Sequence, residues 1–144
     1  MQFGRNEILI GVAVLAVALL IVVPFLLSNG KGDKREEIAR NVEEIRQAEL
    51  QYADAFGGFV SAEDSPQAFD RVGPEPVPWK ASEGFRKLSW APQSKEVYGT
   101  YRVTVSREDF TVTGRSDIDG DGVPAEFTAT RESPATMTTA SGVY

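Results

Sequence analysis

The sequence predicts an α+β protein that consists of a membrane-compatible helix and a polar head. Residues 8–27 are an apolar run without a charged side chain, and as a helix they would span the roughly 30 Å hydrocarbon core of a bilayer. Apolar residues then recur every three or four positions up to Phe56, as in an amphipathic helix. From Val97 onward, short Thr-, Val- and aromatic-rich runs alternate in polarity, as in antiparallel strands. We therefore expect an N-terminal transmembrane helix and an amphipathic second helix packed on a small antiparallel β-meander.

The N-terminal part is expected to form its own segment, residues 1–32, comprising the apolar helix and a hinge. The run is longer than the apolar stretch of a cleaved signal peptide, so we expect it to be retained. Ser28–Gly32 contains two glycines and is expected to end, kink or loosen the first helix. Asp33 is the predicted N-cap of the second helix, with Glu36 completing a capping-box-like pair. The globular head is then residues 33–144.

The second helix is expected to turn one apolar stripe toward a sheet. Its members follow the helical period: Ile38, Val42, Ile45, Ala48, Tyr52 and Phe56. Gly57 and Gly58 are expected to stop the helix. A stripe of this kind indicates a face covered by the protein's own sheet, although a partner could also cover it.

The rest of the head divides into an irregular segment and a strand-rich one. Residues 59–96 contain five prolines, which disfavour long helices or strands; a short helix around Ser65–Val72 is compatible with them. Four large apolar residues are expected to anchor this segment on the core rather than to stack on a ligand: Trp79, Phe85, Leu88 and Trp90. The predicted strands lie within 97–106, 110–113, 127–130 and 137–139.

The composition excludes several kinds of function. The roughly 115 residues after the apolar run suffice for one domain. The formal net charge is −6 and there is no basic stripe, so no specific nucleic-acid partner is expected. There is no cysteine and no histidine, which removes thiolate nucleophiles, the usual zinc ligands and the imidazole base. The remaining side chains show no catalytic spacing, and we do not expect an enzyme.

The N-terminal sequence resembles that of type IV pilins and pseudopilins. In that family a phenylalanine begins the mature chain, a glutamate follows four residues later, and a proline interrupts the apolar helix. Phe3, Glu7 and Pro24 fall on these positions. Three further segments are similar to pilin-type proteins of myxobacteria and their relatives: Gly84–Pro92, Asp117–Gly122 and Ala140–Tyr144.

The resemblance implies a structural filament subunit. Such subunits wait in the bacterial inner membrane and are then assembled, through pilus machinery, into a helical homo-oligomer at the cell surface. The N-terminal helix would form the filament core, and Phe3, Glu7 and Pro24 would be the assembly residues. Glu7 would pair with the amino terminus of a neighbouring copy, because an unpaired buried charge is costly.

The alternative is a membrane-anchored binding or accessory domain, periplasmic or at the cell surface, that never polymerises. Gln2 stands where family members have a glycine before the cleaved bond, which favours this reading. Four basic residues follow the apolar run within 13 positions, whereas only Arg5 precedes it. This balance would place the head in the cytoplasm, opposite to the orientation that the resemblance implies.

The tract Asp117–Gly122 carries the second chemical motif. Asp117, Asp119 and Asp121 alternate and are followed by glycine, as in the first half of an EF-hand calcium loop. The twelfth position holds Thr128 instead of a bidentate glutamate, and Glu126 could contribute only through a different geometry. We therefore consider Ca²⁺ as a ligand of this loop, and a metal-free hairpin turn as its alternative. The resemblance adds weight to calcium, since pseudopilins use this ion near their C-terminal loops.

Overall fold

The computed structural model describes the backbone of residues 5–144 and the side chains of residues 30–144. The side chains of the apolar run and of the predicted assembly residues Phe3, Glu7 and Pro24 lie outside this description. The chain divides into two units, residues 1–33 and 34–144. Among the described residues, no helix combines the length and the apolar character needed to cross a membrane.

The fold is α+β, with one long helix and an antiparallel sheet, as the sequence predicts at this level. The helices are α1 (Arg5–Phe56) and α2 (Glu83–Lys87), with a 3₁₀ turn at Phe69–Arg71. The strands are β1 (Ala62–Ser65), β2 (Val77–Pro78), β3 (Glu96–Val97), β4 (Gly99–Ser106), β5 (Asp109–Ser116), β6 (Ala125–Thr130) and β7 (Thr136–Met137).

The predicted end of the first helix at Ser28–Gly32 is wrong, because α1 continues through this segment; a kink or a loosening there stays a prediction. A glycine lowers helix stability by about 1 kcal/mol relative to alanine, and the lysine, arginine and glutamate residues around Gly30 and Gly32 are good helix formers. Asp33 is consequently an internal helical residue and not an N-cap. The predicted stop is confirmed: Gly57 adopts a φ of 82°, and its N–H donates to the Ala53 carbonyl at 2.8 Å.

The main sheet has five strands in the order β1-β4-β5-β6-β7, and every neighbouring pair is antiparallel. The four predicted strands form its meander, β4 to β7. β5 extends to Ser116, three residues beyond its predicted end. β1 and the small β2-β3 ribbon lie in the segment predicted to be irregular, and the predicted helix near Ser65–Val72 is reduced to the 3₁₀ turn.

The core lies between one face of this sheet and the apolar stripe of α1. Ile38, Val42 and Ile45 are fully buried, whereas Phe56, predicted to belong to the stripe, is 74% exposed. The helix-facing sheet positions alternate along β4, β5 and β6, and include Tyr101, Phe110, Val112 and Phe127. The predicted anchors are confirmed: Phe85, Leu88 and Trp90 are buried, and Trp79 packs against this core.

Candidate metal centre

The Asp-rich tract is the loop that joins β5 to β6. β5 ends at Ser116 and β6 begins at Ala125, so the carboxylates follow directly from a paired strand end. Asp117 is buried, whereas Asp119 and Asp121 are exposed. One carboxylate oxygen from each residue can be chosen so that all three oxygens lie within 4.8 Å of one another. The structure therefore brings together the three residues that the sequence predicts as metal ligands.

Glycines and side-chain hydrogen bonds give this loop its shape. Gly120 and Gly122 adopt φ values of 69° and 81°, a region that residues with a Cβ rarely enter. The Gly122 N–H donates to Asp117 Oδ2 at 3.1 Å, and the Val123 N–H donates to Asp121 Oδ1 at 2.8 Å. The backbone thus turns sharply and keeps the acidic side chains close together.

The environment of Asp117 fits a bound cation. Its side chain is 6% exposed, and within the described part of the chain its Oδ1 has no hydrogen-bond partner. A buried carboxylate oxygen without a partner is costly, and a hard cation would satisfy it. Two oxygens that bind one Ca²⁺ at about 2.4 Å can be at most about 4.8 Å apart, so the spacing of the three carboxylates is compatible with this ion.

The second half of an EF-hand loop is not reproduced. Thr128 lies in β6, where it pairs with Thr113 and Thr136. Glu126 accepts a hydrogen bond from Arg115 Nη2 at 2.8 Å, and its carboxylate is thereby engaged elsewhere. Three carboxylates supply three of the six to eight oxygens that calcium takes, so backbone carbonyls and water would have to supply the others.

The loop also contacts the C-terminal segment, a contact that the sequence does not predict. Ile118, directly after Asp117, is 5% exposed, and its N–H donates to the Tyr144 carbonyl at 3.1 Å. The two residues are 26 positions apart, and neither carries a polar side chain whose spacing would indicate the contact.

Comparisons with known proteins give no match: no protein-family model, no curated protein and no solved structure matches this chain. The resemblance to type IV pilins and pseudopilins therefore depends on the sequence positions named above.

Proposed function

We propose that this protein is a structural subunit of a type IV pilus or pseudopilus-like filament, assembled through its N-terminal apolar helix. The supporting observation is that one helix, α1, contains both the apolar run 8–27 and the stripe that packs on the sheet. The lipid-compatible segment and the stripe that covers the sheet are therefore parts of a single helix.

The physical basis of assembly is the exchange of lipid contacts for contacts between helices. The run 8–27 holds the subunit in the inner membrane, and packing of such runs in a filament keeps their apolar surface away from water. Small residues at positions 11, 13, 16 and 18 allow helices to approach closely. Glu7 then pairs with the amino terminus of a neighbour and sets the axial register. The assembled filament is extracellular.

Removal of the Glu7 carboxylate tests this function. After the full chain is purified in detergent and the detergent is removed, negative-stain electron microscopy of the wild type should show filaments. Glu7→Ala should keep the circular dichroism spectrum of the wild type but form no filaments, because the buried pairing partner is lost. Glu36→Ala, which removes an exposed carboxylate from the described part of α1, is the matched control and should assemble normally.

Two outcomes would contradict the filament proposal. Normal filaments from Glu7→Ala would show that the carboxylate does not control assembly. A wild-type chain that stays dispersed would favour the alternative, a membrane-anchored accessory domain that does not polymerise. The mature N-terminus discriminates further, since a chain that starts at Phe3, with or without methylation, supports the filament subunit.

We also infer that the loop bearing Asp117, Asp119 and Asp121 binds Ca²⁺. The buried Asp117 Oδ1 supports this inference. Calcium at 100 times its dissociation constant would stabilise the folded chain by about 2.7 kcal/mol, so the thermal midpoint should rise by several degrees. Asp119→Ala should abolish the rise, whereas Asp70→Ala, which removes an exposed carboxylate outside the loop, should keep it. An unchanged wild-type midpoint, together with a harmless Asp119→Ala, would identify the loop as a metal-free turn.

A further inference from the structure

The C-terminal end of α1 exposes an aromatic side chain that the sheet does not cover. Phe56 is 74% exposed, and among the residues that the structure describes only Val123 is another large apolar side chain in the exposed class. The centre of the Phe56 ring lies 4.6 Å from that of the Tyr52 ring, which supports it from one side. Burial of this ring against another surface would be favourable, because it would remove apolar area from water.

A cleft of about 380 Å³ lies beside the same end of the helix. Its apolar part is formed by Leu50, Ala53 and Phe59, which are all half-buried. The ring centres of Phe59 and the buried Phe110 are 4.8 Å apart, so the floor of the cleft is anchored on the core. Aromatic side chains that contribute most to protein interfaces occupy pockets of this kind on the partner surface.

The rim of the cleft carries two arginines and two carboxylates, and therefore no net charge: Arg107, Arg131, Asp54 and Glu108. The guanidinium carbon of Arg131 lies 6.0 Å from the centre of the Phe59 ring, at the outer limit of a cation–π contact. Arg107 is exposed in the turn between β4 and β5. The cleft thus combines an apolar floor with a cation that can lie against the face of a further aromatic ring.

The exposed ring and the cleft occupy different patches of the head. Phe56 does not line the cleft of its own chain. With about 100° per helical residue, it lies roughly 120° around α1 from Leu50 in the cleft wall. When an apolar projection and a complementary pocket occupy different patches of one surface, the contact between copies is heterologous, and it continues from copy to copy unless the rotation closes a ring.

We propose that Phe56 of one copy enters the cleft of a second copy, and that this contact between heads adds to helix packing in the filament. The inference rests on the proposed filament function and extends it to the surface of the head. In the contact, the ring lies on Leu50 and Phe59 of the second copy, and Arg107 of that copy lies against its face. A second copy fits this cleft because it supplies the exposed ring, and because a rim without net charge does not repel a chain of net charge −6.

Crosslinking of the full chain in detergent tests the contact, because detergent disperses the apolar run and leaves the heads to meet on their own. The chain has no cysteine, so a single thiol can be placed next to the projecting ring as Ala55→Cys, or on the cleft rim as Glu108→Cys, both at exposed positions. The two chains, one of them tagged, are mixed and treated with a short bismaleimide. The mixed pair should be the main product. Adding Phe56→Ala to the Ala55→Cys chain should lower its initial rate of formation about tenfold, because burial of one aromatic side chain is lost.

Matched variants separate this contact from general stickiness. Val123→Ala in the Ala55→Cys chain removes the other exposed apolar side chain and should leave the rate unchanged. Arg107→Ala in the Glu108→Cys chain should lower the rate, whereas Arg86→Ala, which removes an exposed arginine of α2, should not. Because Phe56 is largely exposed, its truncation should keep the thermal midpoint of the parent chain, so a slower reaction would not reflect unfolding.

Two results would overturn the contact. Equal rates with and without Phe56→Ala would show that the ring does not enter the cleft. A preference for pairs of two Ala55→Cys chains would show that the exposed rings stack on each other instead. Filament formation and its dependence on Glu7 are measured separately by electron microscopy. Mixed pairs without filaments would therefore contradict the filament proposal alone, and filaments from chains that give no mixed pair would contradict the contact alone.

Discussion

Glu49 is a fully buried acidic residue in the part of α1 that covers the sheet. Its Oε2 accepts a hydrogen bond from the Val60 N–H at 2.9 Å, which ties α1 to the start of the irregular segment. Its Oε1 has no partner within the described residues. Burial raises the pKa of this carboxyl to about 7, and the bond from Val60 only partly opposes the increase. The Glu49 carboxyl therefore changes its protonation state near neutral pH.

The sign of the resulting pH dependence follows from the raised pKa. Because the folded chain holds this proton more tightly than the unfolded one, whose ordinary pKa is 4.5, the free energy of unfolding should fall as pH rises from about 4.5 to 7. The loss should be on the order of 3 kcal/mol, since one pKa unit corresponds to about 1.36 kcal/mol. Glu49→Gln should remove the part of this dependence that Glu49 contributes and be more stable than the wild type at pH 8.

Thermal unfolding of the full chain at pH 5 and pH 8 measures this effect. Glu36→Gln is the control, since Glu36 is exposed on the same helix. If the midpoints of Glu49→Gln and the wild type respond equally to pH, the buried carboxyl is not the titrating group.

A second buried polar pair joins α1 to the sheet. Asn41 Nδ2 donates to the Tyr101 hydroxyl at 2.9 Å, and both residues are almost completely buried. Burial raises the pKa of Tyr101 well above its ordinary value, so the hydroxyl stays neutral and can accept this bond. Since an unmade bond here would leave a buried donor unsatisfied, the pair favours one rotation of the helix on the sheet.

At the scale of elements, the separation of α1 from the sheet is set by two strand glycines. A Cβ at Gly114 would lie 2.5 Å from Val42 Cγ2, and one at Gly99 would lie 2.6 Å from Ile38 Cδ1. The helix therefore packs directly over the backbone of β4 and β5.

Gly114→Ala should force α1 away from the sheet. Valine is stiff at χ1, so the contact with Val42 cannot be relieved cheaply, and overpacking of this kind costs about 1–3 kcal/mol. Gly73→Ala is the matched control, because a Cβ at Gly73 meets no atom within 4 Å. Thermal unfolding should show a lower midpoint for Gly114→Ala than for Gly73→Ala.

The double variant with Val42→Ala separates a steric effect from a change in strand preference. If the clash is responsible, the destabilisation by Gly114→Ala should be smaller when Val42 is already alanine. Equal stability of Gly114→Ala and Gly73→Ala would contradict the packing argument.

Polar side chains also attach α1 to the loop between β6 and β7. Arg46 Nε donates to the Thr130 carbonyl at 2.7 Å and its Nη2 to the Arg131 carbonyl at 2.9 Å. The Ala135 N–H donates to Glu43 Oε2 at 2.9 Å. Burial alone would raise the pKa of Glu43, but its hydrogen bonds, including those from Gln47 and Arg46, lower it below the ordinary value. Glu43 and Arg46 lie outside the apolar stripe that the sequence predicts, so the pattern does not indicate these attachments.

The elements with a clear period could be predicted from the sequence. The stripe from Ile38 to Tyr52 and the alternation of β4 to β6 arise from burial on one face, which leaves a regular pattern. β1 could not be predicted in this way, because its sequence Ala-Glu-Asp-Ser has no alternating apolar pattern and its pairing depends on β4. The sequence did not predict the continuity of α1 through Gly30, because two glycines so close together are typical of a break, whereas the surrounding residues favour a helix.

For the candidate site, local residues were predictable and distant ones were not. The three loop aspartates could be found because short acidic side chains at a spacing of two are typical of cation-binding loops. The contact between Ile118 and Tyr144 uses backbone groups, which every residue carries, so no residue type indicates it. The role of Arg35 could not be predicted either, because its partner is a backbone carbonyl, that of Ser141, more than 100 positions along the chain.

At the scale of the whole molecule, the unit 34–144 has its own core. Within the described residues, the buried apolar cluster begins at Ile38 and includes members from every strand except the two-residue β2 and β7, with Met137 and Val143 packed against it. In one part of this core, four aromatic rings pack edge-on against one another: Trp79, Phe85, Trp90 and Tyr101. The head should therefore fold without the apolar run.

A fragment comprising residues 30–144 tests this independence. It should show a near-ultraviolet circular dichroism signal from its packed tryptophans and a single cooperative transition. In the same detergent, its midpoint should lie within roughly 5 °C of that of the full chain, a shift that corresponds to about 1 kcal/mol in a domain of this size. A fragment without near-ultraviolet signal would show that the head requires residues 1–29.

The two edge strands of the main sheet limit aggregation when copies of the chain are concentrated. One outer strand, β1, has only four residues, changes register between Ala62 and Ser65, and is followed by Pro66. The other, β7, has two residues. Edge strands that are this short or irregular offer almost no backbone template for pairing with a strand of another molecule. Molecules concentrated side by side would thus be protected from amyloid-like aggregation, and ordered association would be left to other surfaces.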